Sequence, residues 1–354
     1  MSYTNGLDKP SNYFNTVLYA GTDSAQSETG VGFQPDFTWI KVRNYGGSAS
    51  FEHVLTDAVR GANKTLTSNS TEAEAINNAT GYLSSFDSDG FSLAGGGTSI
   101  DAVAGGARNY VAWNWLASNT TASNTDGSIT STVSANTTSG FSIVSYTGTG
   151  VNATVGHGLG VAPSMIIVKR RSGDPGDWRC YHKSLGETYL IRLNLTNAAL
   201  VNPSWNDTAP TSSVFSIGTN GDVNTSGGNH IAYCFAEKKG FSKFGSYVGN
   251  GSTDGTFVYT GFKPAFVIVK RASGVDNWLM WDNKRNTSNA TVNTLRPNTS
   301  EVENTSAYPI DFLSNGFKNR GISGHHNTSG ETYIYMAFAE NPLVGTNNTP
   351  ATAR

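Results

Sequence analysis

The stretch Ala265-Phe266-Val267-Ile268-Val269-Lys270-Arg271 decides the fold, because it is a run of apolar and β-branched residues that ends in two basic ones. Similar runs stand earlier in the chain, at residues 37–43 (FTWIKVR) and 164–171 (SMIIVKRR), and a proline closely precedes each of the three. β-branched and aromatic residues favour strands. The two later runs are apolar on both faces of the pleat, so they predict strands that are covered on both sides.

The surroundings of these runs repeat as well. A tyrosine lies 16 or 17 residues before each proline, and a phenylalanine lies 52 to 56 residues after it. Each repeat then closes with an aromatic segment, at residues 110–115, 230–235 and 333–338. This order and spacing predict three tandem units of roughly 100 residues. Asp-Gly and Asn-Gly turns between apolar runs favour an all-β fold, with a β-sandwich of jelly-roll or lectin-like type in each unit.

The predicted division of the chain follows from the repeats and from one biased segment. Residues 119–140 are almost all Asn, Thr, Ser, Ala and Gly, which is typical of an extended linker or a weak edge strand. The predicted boundaries are 1–118, 141–240 and 241–342 for the first, second and third units, 119–140 for the linker, and 343–354 for a flexible tail. Three domains in series is the first interpretation, and three modules that close into one pseudo-threefold body is the alternative.

Composition excludes several classes of protein. Of the 354 residues only 14 % are charged and the net charge is −2, which argues against a nucleic-acid partner. A hydrophobic content of 37 %, with 15 Tyr and 17 Phe, argues against disorder. No apolar run approaches the ~20 residues of a membrane helix, and no signal segment is visible, so we expect synthesis in a cytoplasm without membrane insertion. Cys180 and Cys234 lie in apolar strand contexts and are expected to be core thiols.

A search for catalytic, cofactor and metal motifs finds none with the required spacing, so we expect no enzyme activity, no cofactor and no metal. The run from Asp87 to Gly90 resembles the opening of a calcium loop, but it lacks the later ligands, and a hairpin turn explains Asp89-Gly90.

Glu237 and Glu340 occupy the same place in successive units. Two identical environments would not separate the two pKa values of a catalytic pair, so a structural role is favoured.

Two kinds of residue are candidates for contact with a ligand or partner. The basic strand ends recur in each unit and could face an acidic neighbour in an assembly, although a solvated strand end explains them too. Trp205 lacks an aromatic counterpart in the first unit and is therefore a candidate for a ring that faces a ligand. The candidate contact residues are Trp205, Lys169, Arg170, Arg171, Lys270 and Arg271.

Four segments, at residues 8–17, 29–41, 86–91 and 240–247, resemble an uncharacterised domain family of marine bacteriophage virion proteins. Members of that family are often described as tail-fibre or structural proteins, and the resemblance extends over about residues 8–342. It implies a location in the virion. The family has no known catalytic residues, so none are carried over to this chain.

The residues and the resemblance together suggest a structural protein that is exposed on the virion, as a tail-fibre or receptor-binding component. It would act by non-catalytic binding to a glycan or protein of the host surface. Other virion proteins, and further copies of the same chain in a homo-oligomer, would be its partners. One alternative is a capsid decoration protein of cement or head-fibre type. A second alternative is a glycan depolymerase, which would need two carboxylates across one cleft.

Overall fold

The computed structural model describes residues 7–44, 50–78, 81–96, 102–345 and 350–352. The named strands pair antiparallel and form three large sheets and three small ones. The helices in the described part of the chain are single turns: the 3-10 helices Pro10–Asn12 and Pro203–Trp205, and the α-helices α1 (Gly221–Asn224) and α2 (Gly324–Asn327). The predicted all-β class with packed antiparallel sheets is therefore confirmed.

Nine strands lie in the described residues of the first unit. Its large sheet has the order β1-β9-β3-β4-β5-β6, and its small sheet has the order β2-β8-β7. The strands are β1 (Phe14–Ala20), β2 (Gln26–Thr29), β3 (Phe37–Asn44), β4 (His53–Asp57), β5 (Lys64–Thr67), β6 (Ala75–Ile76), β7 (Leu83–Asp87), β8 (Gly90–Leu93) and β9 (Asn109–Trp115).

The second unit has the widest large sheet, with the order β10-β11-β12-β19-β14-β15-β16-β17, and a small sheet of β13 and β18. Residues 119–140, for which a linker or a weak edge strand was expected, supply the two strands at one edge of the large sheet. The strands are β10 (Ala122–Asn124), β11 (Ser131–Asn136), β12 (Phe141–Thr147), β13 (Ala153–Gly156), β14 (Met165–Arg170), β15 (Arg179–His182), β16 (Tyr189–Arg192), β17 (Leu200–Val201), β18 (Val214–Ile217) and β19 (Asn229–Phe235).

The third unit has a four-stranded large sheet, β20-β26-β22-β23, and a small sheet in the order β21-β25-β24. In each unit the closing aromatic segment is the inner strand that pairs with the basic-ended run. The strands are β20 (Ser242–Val248), β21 (Phe257–Tyr259), β22 (Phe262–Arg271), β23 (Leu279–Asp282), β24 (Ile310–Leu313), β25 (Gly316–Asn319) and β26 (Thr332–Pro342).

The inner strands β3, β14 and β22 of the large sheets are buried on both faces, which explains the continuous apolar runs. On β22, Phe266 and Ile268 point into a core that draws on all three units. The alternate residues Val267 and Val269 point into a separate core that belongs to the third unit. Because successive side chains of a strand point to opposite faces, one run of apolar residues serves both cores. The other two units have their own outer cores in the same way.

Three aromatic rings meet at the centre of the shared core, one from the closing strand of each unit. The ring centroids lie 6.3 Å apart for Trp115 and Phe235, 5.7 Å for Trp115 and Phe338, and 6.0 Å for Phe235 and Phe338, all edge to face. Edge-to-face pairs at this spacing are favourable beyond their buried area. The three units are thus packed around one core as a single body.

Candidate binding site

The three junctions between units are built on the same backbone contact. In each one, an N–H of one unit donates to the carbonyl two residues beyond the repeated lysine of its neighbour. These bonds join Glu74 N to Arg171 O at 3.0 Å, Glu303 N to Arg43 O at 2.8 Å, and Ala199 N to Ala272 O at 2.9 Å. We call the junctions seam 1–2, seam 1–3 and seam 2–3 after the units that they join.

The repeated lysines are internal to the body. Lys169 is 1 % exposed, and its Nζ donates to Thr71 O at 2.9 Å and to Gly176 O at 3.0 Å. Lys270 is fully buried, and its Nζ donates to Arg271 O at 2.6 Å. Burial lowers the pKa of both ammonium groups to about 8. Because both ammonium groups are buried and bonded within the chain, neither lysine is placed to contact a partner.

The arginines among the predicted contact residues also bond within the chain. Arg170 donates to Thr225 Oγ1 at 3.0 Å and to Pro175 O at 2.7 Å. Arg271 forms ion pairs with Asp276 at 3.3 Å and Glu331 at 2.8 Å. Arg171 pairs with Glu74 across seam 1–2 at 2.9 Å. The basic residues at the repeated strand ends therefore form contacts within the chain and stabilise its fold.

Trp205 is placed differently from the prediction. Only 1 % of this residue is exposed, and its ring packs edge-on against Tyr181 at 6.0 Å in the outer core of the second unit. The 3-10 helix Pro203–Trp205 turns the ring inward. Its lack of a counterpart in the first unit reflects a core contact that is particular to the second unit, and a ring so buried does not face a ligand.

Two of the seams contain a buried ionic network. At seam 1–2, Glu74 accepts from Arg171 and lies 3.2 Å from Arg60, which also forms an ion pair with Asp57. Burial by itself would raise the pKa of the Glu74 carboxyl, but the bonds and charges of the two arginines outweigh burial and hold the pKa below its usual value. Asp57 also accepts from Tyr233 Oη of the second unit at 2.8 Å.

Seam 1–3 repeats this network with equivalent residues of the third and first units. Glu303 lies 3.0 Å from Arg43 and 2.9 Å from Arg285, and Arg285 pairs with Asp282 at 2.5 Å. Asp282 accepts from Trp113 Nε1 of the first unit at 3.0 Å. The side chains of Arg285 and Asp282 are fully buried. A carboxylate and guanidinium removed from water need this full set of partners to be tolerated.

Seam 2–3 has no such network at the corresponding positions. Four positions carry Asp, Arg, Glu and Arg in each of the other two seams. At seam 2–3 the same four positions carry, in that order, His182, Leu185, Ala199 and Ala272. The smaller side chains leave an open cleft of about 320 Å³ along the seam, with Leu185, Ala199 and Ala272 in its lining and Tyr189 beside them. At these positions seam 2–3 is thus held without a buried ion pair, by apolar contact, backbone bonds and side-chain bonds to backbone carbonyls such as Trp278 Nε1 to Arg192 O at 2.9 Å.

His182 takes the structural place of the aspartates at this seam. Its Nδ1 accepts from Ser184 N at 3.2 Å, so Nε2 carries the proton and donates to Tyr335 O of the third unit at 3.1 Å. Burial lowers the pKa of the imidazole from 6.5 to about 4. The neutral ring is the form that the seam requires.

This histidine makes stability depend on pH. Between pH 6.5 and pH 4, His182 is protonated in the unfolded chain but neutral in the folded protein. The free energy of unfolding therefore falls as the pH drops from about 6.5 towards 4. We expect this group to remove about 2 kcal/mol between pH 7 and pH 5. Burial also lowers the pKa of His230 and His326 to about 4, so urea unfolding at the two pH values is compared between the wild-type protein and His182→Gln to isolate the part due to His182. His182→Gln keeps a hydrogen-bond donor but cannot titrate. If this variant lost as much free energy of unfolding between pH 7 and pH 5 as the wild-type protein does, His182 would not be the titrating group.

The predicted turn residues and thiols have structural roles in the described chain. Asp89 accepts from Gly30 N at 3.1 Å and Gly32 N at 2.6 Å, and thereby ties two loops together. Cys180 and Cys234 are free and buried. The described residues include no group of three or more His, Cys, Asp or Glu side chains placed to hold a metal ion.

Two exposed aromatic rings mark the outer face of the small sheet in the third unit. Phe257 is 43 % exposed and Tyr259 is 56 % exposed, while Val258 between them is buried. Residues two apart on a strand point to the same side, about 7 Å apart. β21 is an edge strand of its sheet. The two rings therefore lie side by side on an open face.

The other two units do not have aromatic residues at these positions. Phe91, Phe215 and Phe317 mark equivalent places in the partner strands, and they lie opposite Glu28, Val155 and Val258. The positions on either side of these are Ser27 and Thr29 in the first unit, Thr154 and Gly156 in the second, and Phe257 and Tyr259 in the third. Ser27 and Thr29 are exposed, whereas Gly156 is buried beneath the side chain of Asn124. The aromatic pair is an addition that the repeated architecture does not require.

Charged side chains continue this face beside the rings. Lys318, which lies opposite Phe257 in the sheet, pairs with Asp254 at 2.5 Å. Arg320 pairs with Asp311 at 2.5 Å and lies 3.7 Å from Asp254. The bond from Lys318 lowers the pKa of the Asp254 carboxyl, so that group is ionised at neutral pH. We call Phe257, Tyr259, Lys318, Arg320 and Asp254 the aromatic face.

A cavity of about 350 Å³ adjoins the aromatic face, and Tyr259 forms part of its wall. Glu237, Lys239 and Lys243 line it together with Thr260. Lys243 donates to Glu237 at 2.6 Å, and Lys183 pairs with the other oxygen of the same carboxylate. Burial would raise the pKa of Glu237, but these two lysines outweigh it and lower the pKa.

Fold and site together define an all-β protein that carries an exposed aromatic and charged face on a tightly bonded body. The chain belongs to a family described as a domain of unknown function, DUF7483, whose model matches residues 9–342. No curated protein and no solved structure matches the chain. Among the described residues, no helix has the length and apolar character needed to cross a membrane.

Proposed function

We propose that this chain is an exposed structural component of a bacteriophage virion, of tail-fibre or receptor-binding type, that binds a glycan of the host surface without catalysis. The observation that carries the proposal is the pair Phe257 and Tyr259, which stand exposed where the other units have small residues. Exposed apolar groups rimmed by polar ones mark interaction sites. The virion location rests on the resemblance of four sequence segments to phage structural proteins.

The chemistry of the aromatic face suits a sugar. An aromatic ring offers a flat apolar surface at low entropic cost, and the apolar face of a sugar ring can stack on it. Asp254, Arg320 and Lys318 supply acceptors and donors for hydroxyl groups within the same surface. The shared core and the ionic seams hold the face rigidly, which lowers the ordering cost of binding.

The cavity beside Tyr259 supports binding in preference to hydrolysis. Among its described lining residues Glu237 is the single carboxylate, and it is held by two lysines. A typical glycosidase needs two carboxylates in different environments. We propose that further copies of this chain and other virion proteins are its structural partners, since a fibre or receptor-binding component is part of an assembly.

Replacing both rings by the residues of the first unit tests the proposal. Phe257→Ser with Tyr259→Thr is expected to weaken binding of the labelled protein to host cells at least about tenfold, because stacked aromatic rings are typical anchors of an interface. Flow cytometry with increasing protein concentration measures this. Ser27→Ala with Thr29→Ala, at the equivalent positions of the first unit, is the control. Unchanged binding by the first variant would show that the aromatic face is not the site.

A further inference from the structure

We infer that Lys263 and Asn283 of the third unit join in an intramolecular amide bond, and that Glu340 transfers the protons of the reaction. This inference goes beyond the host-binding role and is independent of it. The three side chains meet near the start of β22 and the ends of β23 and β26. One carboxylate oxygen of Glu340 lies 3.3 Å from Lys263 Nζ, and the other accepts from Asn283 Nδ2 at 2.7 Å.

The backbone holds the amine and the amide close together and mostly out of water. Asn283 N donates to Ala265 O at 2.8 Å, so Asn283 lies beside β22 two residues along from Lys263. Lys263 is 8 % exposed and Asn283 is 7 % exposed. Two groups fixed side by side react as if they were present at very high concentration. The strands therefore supply the proximity that such a bond needs.

The reaction balances with no further reagent. The lone pair of Lys263 Nζ attacks Asn283 Cγ and forms the new C–N bond, while the bond from Cγ to Nδ2 breaks. Nζ begins as an ammonium group with three protons and ends as an amide N–H with one. Glu340 takes both of the lost protons. It delivers one to Nδ2, which leaves as ammonia, and releases the other to water.

The position of Glu340 suits this proton transfer. One of its oxygens is beside the attacking nitrogen and the other already holds the leaving nitrogen. A cavity of about 230 Å³ opens on Glu340 and Asn283, with Ala265 and Ala339 in its lining. This cavity gives the released ammonia a way out of the protein.

The other two units do not carry the same set of side chains. In the first unit, Ala58 and Ala117 occupy the positions of the amide and the carboxylate. In the second unit the equivalent carboxylate, Glu237, pairs with Lys183 and Lys243. Both of those partners are amines, which cannot condense with each other. The amide bond is therefore particular to the third unit, where it closes residues 263–283 into a loop and ties β22 to the end of β23.

The intact mass of the purified wild-type protein tests the bond. We expect a mass about 17 Da below that of the sequence, which is the mass of one ammonia. Trypsin should release residues 244–270 and 272–284 as one joined species. Lys263→Arg keeps the positive charge beside Glu340, but a guanidinium remains charged and does not attack. That variant, and Glu340→Gln, should have the full mass and give two separate peptides.

Lys243→Arg is the matched control, because it changes the lysine beside the equivalent carboxylate Glu237. We expect it to keep the joined peptides. A full mass for the wild-type protein overturns the inference. Loss of ammonia without joined peptides, as ring closure at Asn250-Gly251 would give, overturns it as well. Joined peptides in Glu340→Gln to the wild-type extent would contradict the role of Glu340.

Discussion

Arg60→Leu is expected to lower the free energy of unfolding by about 3–5 kcal/mol, because it removes one partner from a fully buried ionic network. Arg60 and Asp57 have no exposed side-chain surface, and Glu74 has 8 %. The substitution leaves both carboxylates without their shared guanidinium inside the protein. It also removes a donor to Leu55 O at 2.9 Å. Urea unfolding at pH 7 measures the loss.

Seam 2–3 supplies a matched control for this substitution. The fourfold change Asp57→His, Arg60→Leu, Glu74→Ala and Arg171→Ala copies into seam 1–2 the residues that occupy seam 2–3. No uncompensated carboxylate then remains, so we expect less than half of the loss seen in Arg60→Leu. A fourfold variant less stable than Arg60→Leu would show that the apolar solution depends on surroundings particular to seam 2–3.

Phe338→Ala is expected to cost about 3–5 kcal/mol, as is typical when a large aromatic residue is removed from a packed core. Phe338 is 1 % exposed, and its ring contacts Trp115 of the first unit and Phe235 of the second. Because the core is shared, the cavity affects all three units at once. We expect hydrogen exchange to accelerate in the large sheets of every unit.

Phe317→Ala is the matched comparison. Phe317 is fully buried, but it lies in the outer core of the third unit, where its ring packs on Tyr247 at 6.0 Å and Tyr335 at 5.5 Å. We expect its effect on exchange to be strongest in the third unit. If Phe338→Ala accelerated exchange only in the third unit, the units would be energetically independent despite their contact.

Much of the fold could be predicted from local pattern. The run from Phe266 to Val269 reads as a strand covered on both sides, and it is one, because alternate residues feed two different cores. What covers the inner face could not be read from the pattern. Phe266 meets partners such as Trp113, more than a hundred residues away, at 5.8 Å. Sequence periodicity specifies which face is apolar but not which distant strand packs against it.

The candidate site was missed for a related reason. Phe257-Val258-Tyr259 reads as an ordinary strand, and exposure of its outer residues depends on β21 lying at a sheet edge. A signal was present: alignment of the units on Phe317 places two aromatics opposite small polar residues. Trp205 also breaks the repeat, yet it is buried. A break in the repeat therefore points to a function only where the position faces outward.

The most direct test of the proposed virion role is a cryo-microscopy reconstruction of phage particles whose genome encodes this chain. We expect the chain on the outside of the particle, at the tail, with Phe257 and Tyr259 directed away from neighbouring virion proteins. Absence of the chain from purified particles would contradict the virion assignment. A place on the capsid lattice would make it a decoration protein, and an aromatic face buried against another virion protein would contradict the proposed host-binding role.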